Sequence, residues 1–228
     1  MGRFGTPLFV FLLLILLPLN LAALTPGSDV IVLTLWTEIS RTVPDVGEDP
    51  VPRDLEGFSK KVLIDAVWII SGMIYGFDVR YVPLDRERKI EEVFTIDPVY
   101  TIPFGDPALR ITGSRFEQDR FFVEVRYDLA DYQLRRLSLW NSNIYPEAEG
   151  LGTASFFEGE DARIESVKNG VKMALRNYLR LRIRNKPREI TAKVLLDQSP
   201  YIVIDAGGYK AKTRVKLNVE KVIPYTIY

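Results

Sequence analysis

Lys168, Lys172, Arg176, Arg180 and Arg184 recur at every fourth position late in the chain. In a helix that spacing stacks them along one side. Such a ridge would hold an anion rather than move a proton, because lysine and arginine stay charged at neutral pH. Glu158, Glu160, Asp161 and Glu165 crowd the start of the same segment. Acids first and bases last also complement a helix dipole, so a solvated helix face is the competing account of the pattern.

The other candidates for chemistry are carboxylates. Glu91, Glu92, Asp97, Asp106, Glu117 and Asp119 lie among strand and loop signals. Paired carboxylates there would cleave glycosidic bonds without histidine. Glu91 and Glu92, however, would point to opposite faces of a strand. With 30 Asp+Glu in the chain, proximity in sequence carries little specificity. Ser59-Lys60 and the Ser166/Lys168 pair lack an activating pattern, and Gly207-Gly208 reads as a turn, since no Lys-Ser/Thr follows it. Asp65 stands apart because it interrupts an apolar helix. It must pair with Lys61 at the surface or find an arginine inside.

Composition removes whole classes of activity. The 228 residues include no His and no Cys. There is therefore no imidazole relay, no thiolate nucleophile, no disulfide framework and no His- or Cys-ligated metal. No catalytic residue, metal site or cofactor motif is assigned. The formal charge is balanced at 30 Lys+Arg against 30 Asp+Glu, but it is placed unevenly. From Glu158 to Tyr228 there are 15 basic and 8 acidic residues, net +7; from Leu24 to Arg110, 9 basic and 15 acidic, net −6. The two halves could attract each other within one fold, or the basic half could attract a polyanion.

Arg3, the apolar run Leu8–Leu17, the break at Pro18 and Asn20, and the small residues Ala22-Ala23 have the layout of a secretory signal peptide. Residues 1–23 are the expected signal and 24–228 the mature domain, working extracytoplasmically, periplasmic or secreted. An uncleaved anchor is the alternative, because Leu8–Leu24 reaches the lower edge of a membrane span. An exported chain with neither Cys nor an N-glycosylation sequon points to a bacterial cell envelope. The expected partner is an envelope protein or a polyanionic surface polymer, not nucleic acid, with no integral membrane span after signal cleavage.

These candidates must be positioned by the elements between them. Asp29–Ile39 reads as a buried strand and 44–53 as a Pro-rich loop. Asp54 is the expected cap of a helix carrying Leu55, Phe58, Val62, Ala66, Ile69 and Met73 at helical spacing, ending at Gly76. From Val62 to Tyr75 that helix is apolar on nearly every side. This predicts a core helix, or one covered partly by a second subunit through residues 62–75. Strands follow at Phe77–Tyr81, Lys89–Ile96, Leu109–Phe116, Arg120–Asp128 and Leu134–Trp140, then a loop at Asn141–Thr153. Ser155 and Glu158 have capping-box spacing before a second helix through Tyr178, with an extended handover after Arg180. Glu189–Leu196, Tyr201–Asp205 and Lys210–Val222 close the chain, the last two joined by a tight turn at 206–209.

The expectation is one α+β domain: an antiparallel sheet of about six to eight strands with two packed helices. A faint duplication of a helix-plus-strands unit would divide it into 24–145 and 153–228. The terminal aromatic Tyr228 raises an outer-membrane barrel, which the helices and strand prolines do not fit. The functional expectation is a non-catalytic envelope scaffold, assembly or binding component. A carboxylate-dependent hydrolase of envelope polysaccharide is the alternative, and it requires a pocket with two converging carboxylates.

Overall fold

The computed structural model describes residues 29–39, 55–159 and 161–225. The expected signal at 1–23, the loop at 44–53, the Asp54 cap and Tyr228 lie outside them. The described elements are β1 (Val30–Glu38), α1 (Leu55–Ile74), β2 (Phe77–Val82), β3 (Val93–Pro98), β4 (Leu109–Glu117) and β5 (Arg120–Asp128). After them come α2 (Asp131–Trp140), β6 (Glu147–Ser155), α3 (Ala162–Arg180), β7 (Glu189–Leu196), β8 (Tyr201–Asp205) and β9 (Gly208–Ile223).

The fold is α+β and every strand pairing is antiparallel, as the patterning predicts. The strands divide between two sheets: β1-β5-β4, and β3-β2-β7-β9-β6 with β8 added on β9. The larger sheet draws strands from both halves of the proposed duplication, β2 pairing directly with β7.

α1 lies between the sheets, touching β1 and β5 on one side and β7 on the other. That placement explains its composition. A helix covered on two faces cannot keep a polar stripe, and Ala66, Val67 and the whole run from Ile69 to Ile74 are buried. Most of the expected cover of residues 62–75 is provided within one chain, with Ile64 left 52% exposed. Gly72 leaves room for the Phe77 ring, which would lie 2.1 Å from a Cβ at that position. The same ring packs on Trp68 with centroids 4.6 Å apart. Gly76 then ends the helix region in the left-handed conformation, φ +77°.

Several segments depart from the sequence expectation. Leu134–Trp140, expected as a strand, belongs to α2. Leu134, Leu137 and Trp140 sit three apart, a helical spacing, and Gln133 secures the first turn. Its Oε1 accepts from the Ala130 amide at 2.8 Å, and its Nε2 donates to the hydroxyls of Tyr75 and Tyr127 at 2.8 and 3.0 Å. Asn141–Thr153, expected as a loop on its glycines, contains most of β6. Gly150 and Gly152 serve close packing rather than turning: a Cβ on either would lie 2.1 Å from the backbone of Gly170 in α3. Lys89–Ile96 is shifted, the strand running instead over Val93–Pro98.

The capping box at Ser155 closes only a short 3-10 turn, Phe156–Glu158, and α3 starts at Ala162. After Arg180 the chain turns rather than extending, since Leu181 caps α3 with helical backbone angles. The turn between β8 and β9 has positive φ at both Ala206 and Gly207, 49° and 80°, as a type I′ hairpin requires.

Asp65 finds an arginine inside. Arg163, in the first turn of α3, places Nη2 2.6 Å and Nε 2.9 Å from Asp65 Oδ2, with the two side chains 14% (Asp65) and 6% (Arg163) exposed. Nη1 of the same arginine donates to the carbonyl of Trp36 in β1. Burial pushes the Asp65 carboxyl up, against the attraction of Arg163. Removing one partner would leave a buried charge uncompensated. Asp65→Ala should therefore lose about 3–5 kcal/mol in chemical denaturation, while replacing both partners with apolar residues of similar volume should lose much less.

Candidate functional site

The structure breaks the basic ridge in two. Lys168 pairs with Glu165 at 2.6 Å within α3. Lys172 donates to Glu92 at 3.0 Å and lies 5.9 Å from the Phe94 ring, and Arg176 stands 3.6 Å from the same carboxylate. Arg180 is the last residue of α3 and Arg184 lies in the turn beyond it. Both are exposed, and neither has an acidic partner among the described residues. The first three ridge positions are thus absorbed by the fold, and the last two are left to solvent.

Glu92 is the organiser of the absorbed part. The Tyr81 hydroxyl, from β2, donates to Glu92 Oε1 at 2.9 Å, while Lys172 holds Oε2. Burial acts to raise the Glu92 carboxyl. The hydrogen bonds from Lys172 and Tyr81 and the attraction of Lys172 and Arg176 outweigh it and hold the group below the ordinary carboxylate range. Burial, then donation to Glu92, pushes the Tyr81 phenol well above its usual value.

Beside this cluster opens a cleft of about 690 Å³, between the segment 83–88 and the end of α3. Arg86, Arg88, Arg176 and Lys186 line it together with Asp85, Glu87 and Glu92. Asp85 and Arg88 pair at 2.8 Å, and this hydrogen bond holds the Asp85 carboxyl down. Arg88 also lies over the Tyr225 ring, 4.2 Å from its centroid. Lys186 donates to the Leu84 carbonyl at 2.6 Å. The segment 176–188 that borders the cleft carries Arg176, Arg180, Arg182, Arg184, Lys186 and Arg188 and no carboxylate. Arg182 stacks on Tyr178 at 3.8 Å. The result is a cationic end of the molecule with a partly neutralised cleft next to it.

The remaining sequence candidates are scattered. Asp106 accepts from the Ala108 amide in a local turn, and Glu117 is 3.5 Å from Arg115 in the smaller sheet. Asp97 lies on β3 opposite Asp78. Ser166 is buried and donates to the Arg163 carbonyl, away from Lys168. Part of the charge asymmetry is consumed by the fold: Asp65–Arg163, Glu92–Lys172 and Asp78–Lys193 each join the acidic half to the basic half. Arg163, Tyr81 and the Asp85–Arg88 pair were not singled out in sequence. Nothing in their local spacing marks them, because their partners are far along the chain or belong to an ordinary turn.

Two antiparallel sheets enclosing a central helix, with a cationic cleft at one end, define an α+β protein that presents a charged surface. The chain belongs to an uncharacterised protein family, whose model matches residues 21–225. An uncharacterized protein of Treponema pallidum (strain Nichols) is 22% identical over 161 residues, covering 71% of this chain and 68% of that protein. No solved structure matches. Among the described residues no helix is long and apolar enough to cross a membrane.

The Glu92 cluster has a pH signature. A carboxyl that titrates lower in the folded state than in the unfolded state contributes stability above its unfolded pKa, and that contribution is lost as pH falls through the folded value. Glu92→Gln should cost up to about 1 kcal/mol at pH 7, as expected for a pair that keeps solvent contact. The gap between wild type and variant should close as pH drops below the unfolded glutamate value of about 4.3. Urea melts across a pH series measure this.

Proposed function

We propose that the protein is an exported, non-catalytic component of the bacterial cell envelope that binds an anionic partner through the cationic end of α3. The observation that carries the reading is the division of the ridge. Arg180 and Arg184 are exposed without acidic partners among the described residues, while Lys168 pairs with Glu165 and Lys172 and Arg176 share Glu92. Cations left unpaired where four arginines and a lysine follow within nine residues (180–188) create a local positive field. The partner is an acidic envelope protein or a polyanionic surface polymer.

The cleft carboxylates support binding over hydrolysis. A glycoside hydrolase needs one carboxyl raised enough to act as a general acid. Asp85 and Glu92 are instead both held down by arginine and lysine. Export is supported by the layout of Met1–Ala23.

Two measurements test the reading. Amino-terminal sequencing of the protein purified from its native cell should begin near Leu24; a chain beginning at Met1 and recovered with cytosolic contents overturns the assignment to the envelope. Wild-type protein should sediment with envelope fractions at low salt and be released as salt rises, because exposed charge contacts are screened. The double variant Arg180→Glu/Arg184→Glu should lose most of that retention while keeping the wild-type melting curve. Retention equal to wild type across the salt series overturns the role of the cationic end.

A further inference from the structure

A second surface lies on the outer face of the smaller sheet. Opposed residues of an antiparallel pair share a face. Trp36 on β1 opposes Phe122 on β5, and Phe122 opposes Arg115 on β4. Arg120, two residues before Phe122, falls on that face as well. A groove of about 390 Å³ runs here between Thr34–Trp36 of β1 and Ser199–Val203 at the start of β8.

The groove is built from cations resting on rings. Arg120 places its guanidinium carbon 4.4 Å from the centroid of the Trp36 ring, and Arg115 lies 4.6 Å over Phe122. The Arg120 Nε is buried and has no hydrogen-bond partner among the described residues. A guanidinium resting over an indole without a carboxylate partner keeps donors for an entering group, and a carboxylate matches its fork. Arg163 also reaches this wall, but Asp65 neutralises it. Glu124, a carboxylate on the lining, already accepts from the Thr112 hydroxyl at 2.7 Å. Arg115 lies 3.5 Å from Glu117, which leaves Arg120 as the lining arginine without a carboxylate partner among the described residues.

Its two walls are strand edges. β1 pairs with β5 alone and β8 with β9 alone among the described residues. The Trp36 carbonyl faces away from β5, since Arg163 donates to it there. The alternation of an antiparallel ladder turns the backbone groups of Thr34 to the same open side. Among the described residues that line the groove there is no Asn, Gln or Asp. Tyr201, 61% exposed, offers an open ring at the rim.

We infer that this groove binds an extended acidic peptide, which adds its backbone to an exposed strand edge and places a carboxylate side chain on Arg120, with Arg115 as the second cation. Strand addition supplies affinity through main-chain hydrogen bonds and specificity through alternate side chains. The site is separate from the cationic end of α3.

The test uses the full chain and fluorescein-labelled short peptides, capped at both ends, followed by fluorescence anisotropy. A peptide alternating glutamate and valine should bind, and the same peptide with lysine for glutamate should not. Methylating alternate backbone amides should abolish binding. Arg120→Gln should weaken binding about ten- to hundredfold, the effect expected for loss of a charged hydrogen-bonding partner. Arg120→Lys should restore part of it, and Arg115→Gln, at an exposed position with little risk to folding, should weaken it several-fold. Arg180→Glu/Arg184→Glu should bind the peptide like wild type, which separates failure here from failure of the α3 surface. Absence of binding, wild-type affinity in both Arg120→Gln and Arg115→Gln, or undiminished binding of the methylated peptide overturns the inference. So does Arg120-dependent binding of polygalacturonate tighter than that of the peptide, which would make the groove a polysaccharide site.

Discussion

The buried pair between Asp65 and Arg163 joins elements that lie far apart along the chain. Asp65 belongs to the central helix, Arg163 to the first turn of α3, and the Trp36 carbonyl that Arg163 also reaches belongs to the edge strand of the smaller sheet. A guanidinium and a carboxylate withdrawn from water tolerate little relative movement, because each would then face an apolar surrounding alone. The smaller sheet, which shares no strand pairing with the larger one, is thus tied electrostatically as well as by apolar packing to the layer beneath it. The acid that looks misplaced on an apolar helix ties that helix to α3 and, through Arg163, to β1.

The same logic governs the rest of the charge. Opposite charges segregated along the chain are brought together by folding, and part of the asymmetry disappears into cross-element pairs such as Glu92 with Lys172 and Asp78 with Lys193. What remains visible from outside is the residue of that neutralisation: the stretch after Arg176 on one side, and the arginines stacked on Trp36 and Phe122 on the other. A surface cation is informative here because its neighbours have been accounted for.

Close packing between α3 and β6 imposes a second constraint. Gly150, Gly152 and Gly170 allow helix and strand backbones to approach at distances that a methyl group would block. This contact anchors α3 and so sets where its C-terminal arginines emerge. α1 gains its position differently, by being apolar enough to be covered from two sides at once.

Sequence alone determined the α+β class, the extents of β7 and β8, the central helix and its end at Gly76, because alternation, helical periodicity and glycine caps are local properties. It also narrowed Asp65 to two fates and placed five cations on one helical ridge. Tertiary structure decided the rest. Segment 134–140 became helical once Gln133 found the hydroxyls of Tyr75 and Tyr127, and the glycines of 150–152 became strand once α3 lay against them. Which cations of the ridge were neutralised depended on Glu92, 80 residues away from Lys172. Periodicity reports which way a side chain points, whereas its electrostatic fate depends on partners that only the folded chain brings within reach.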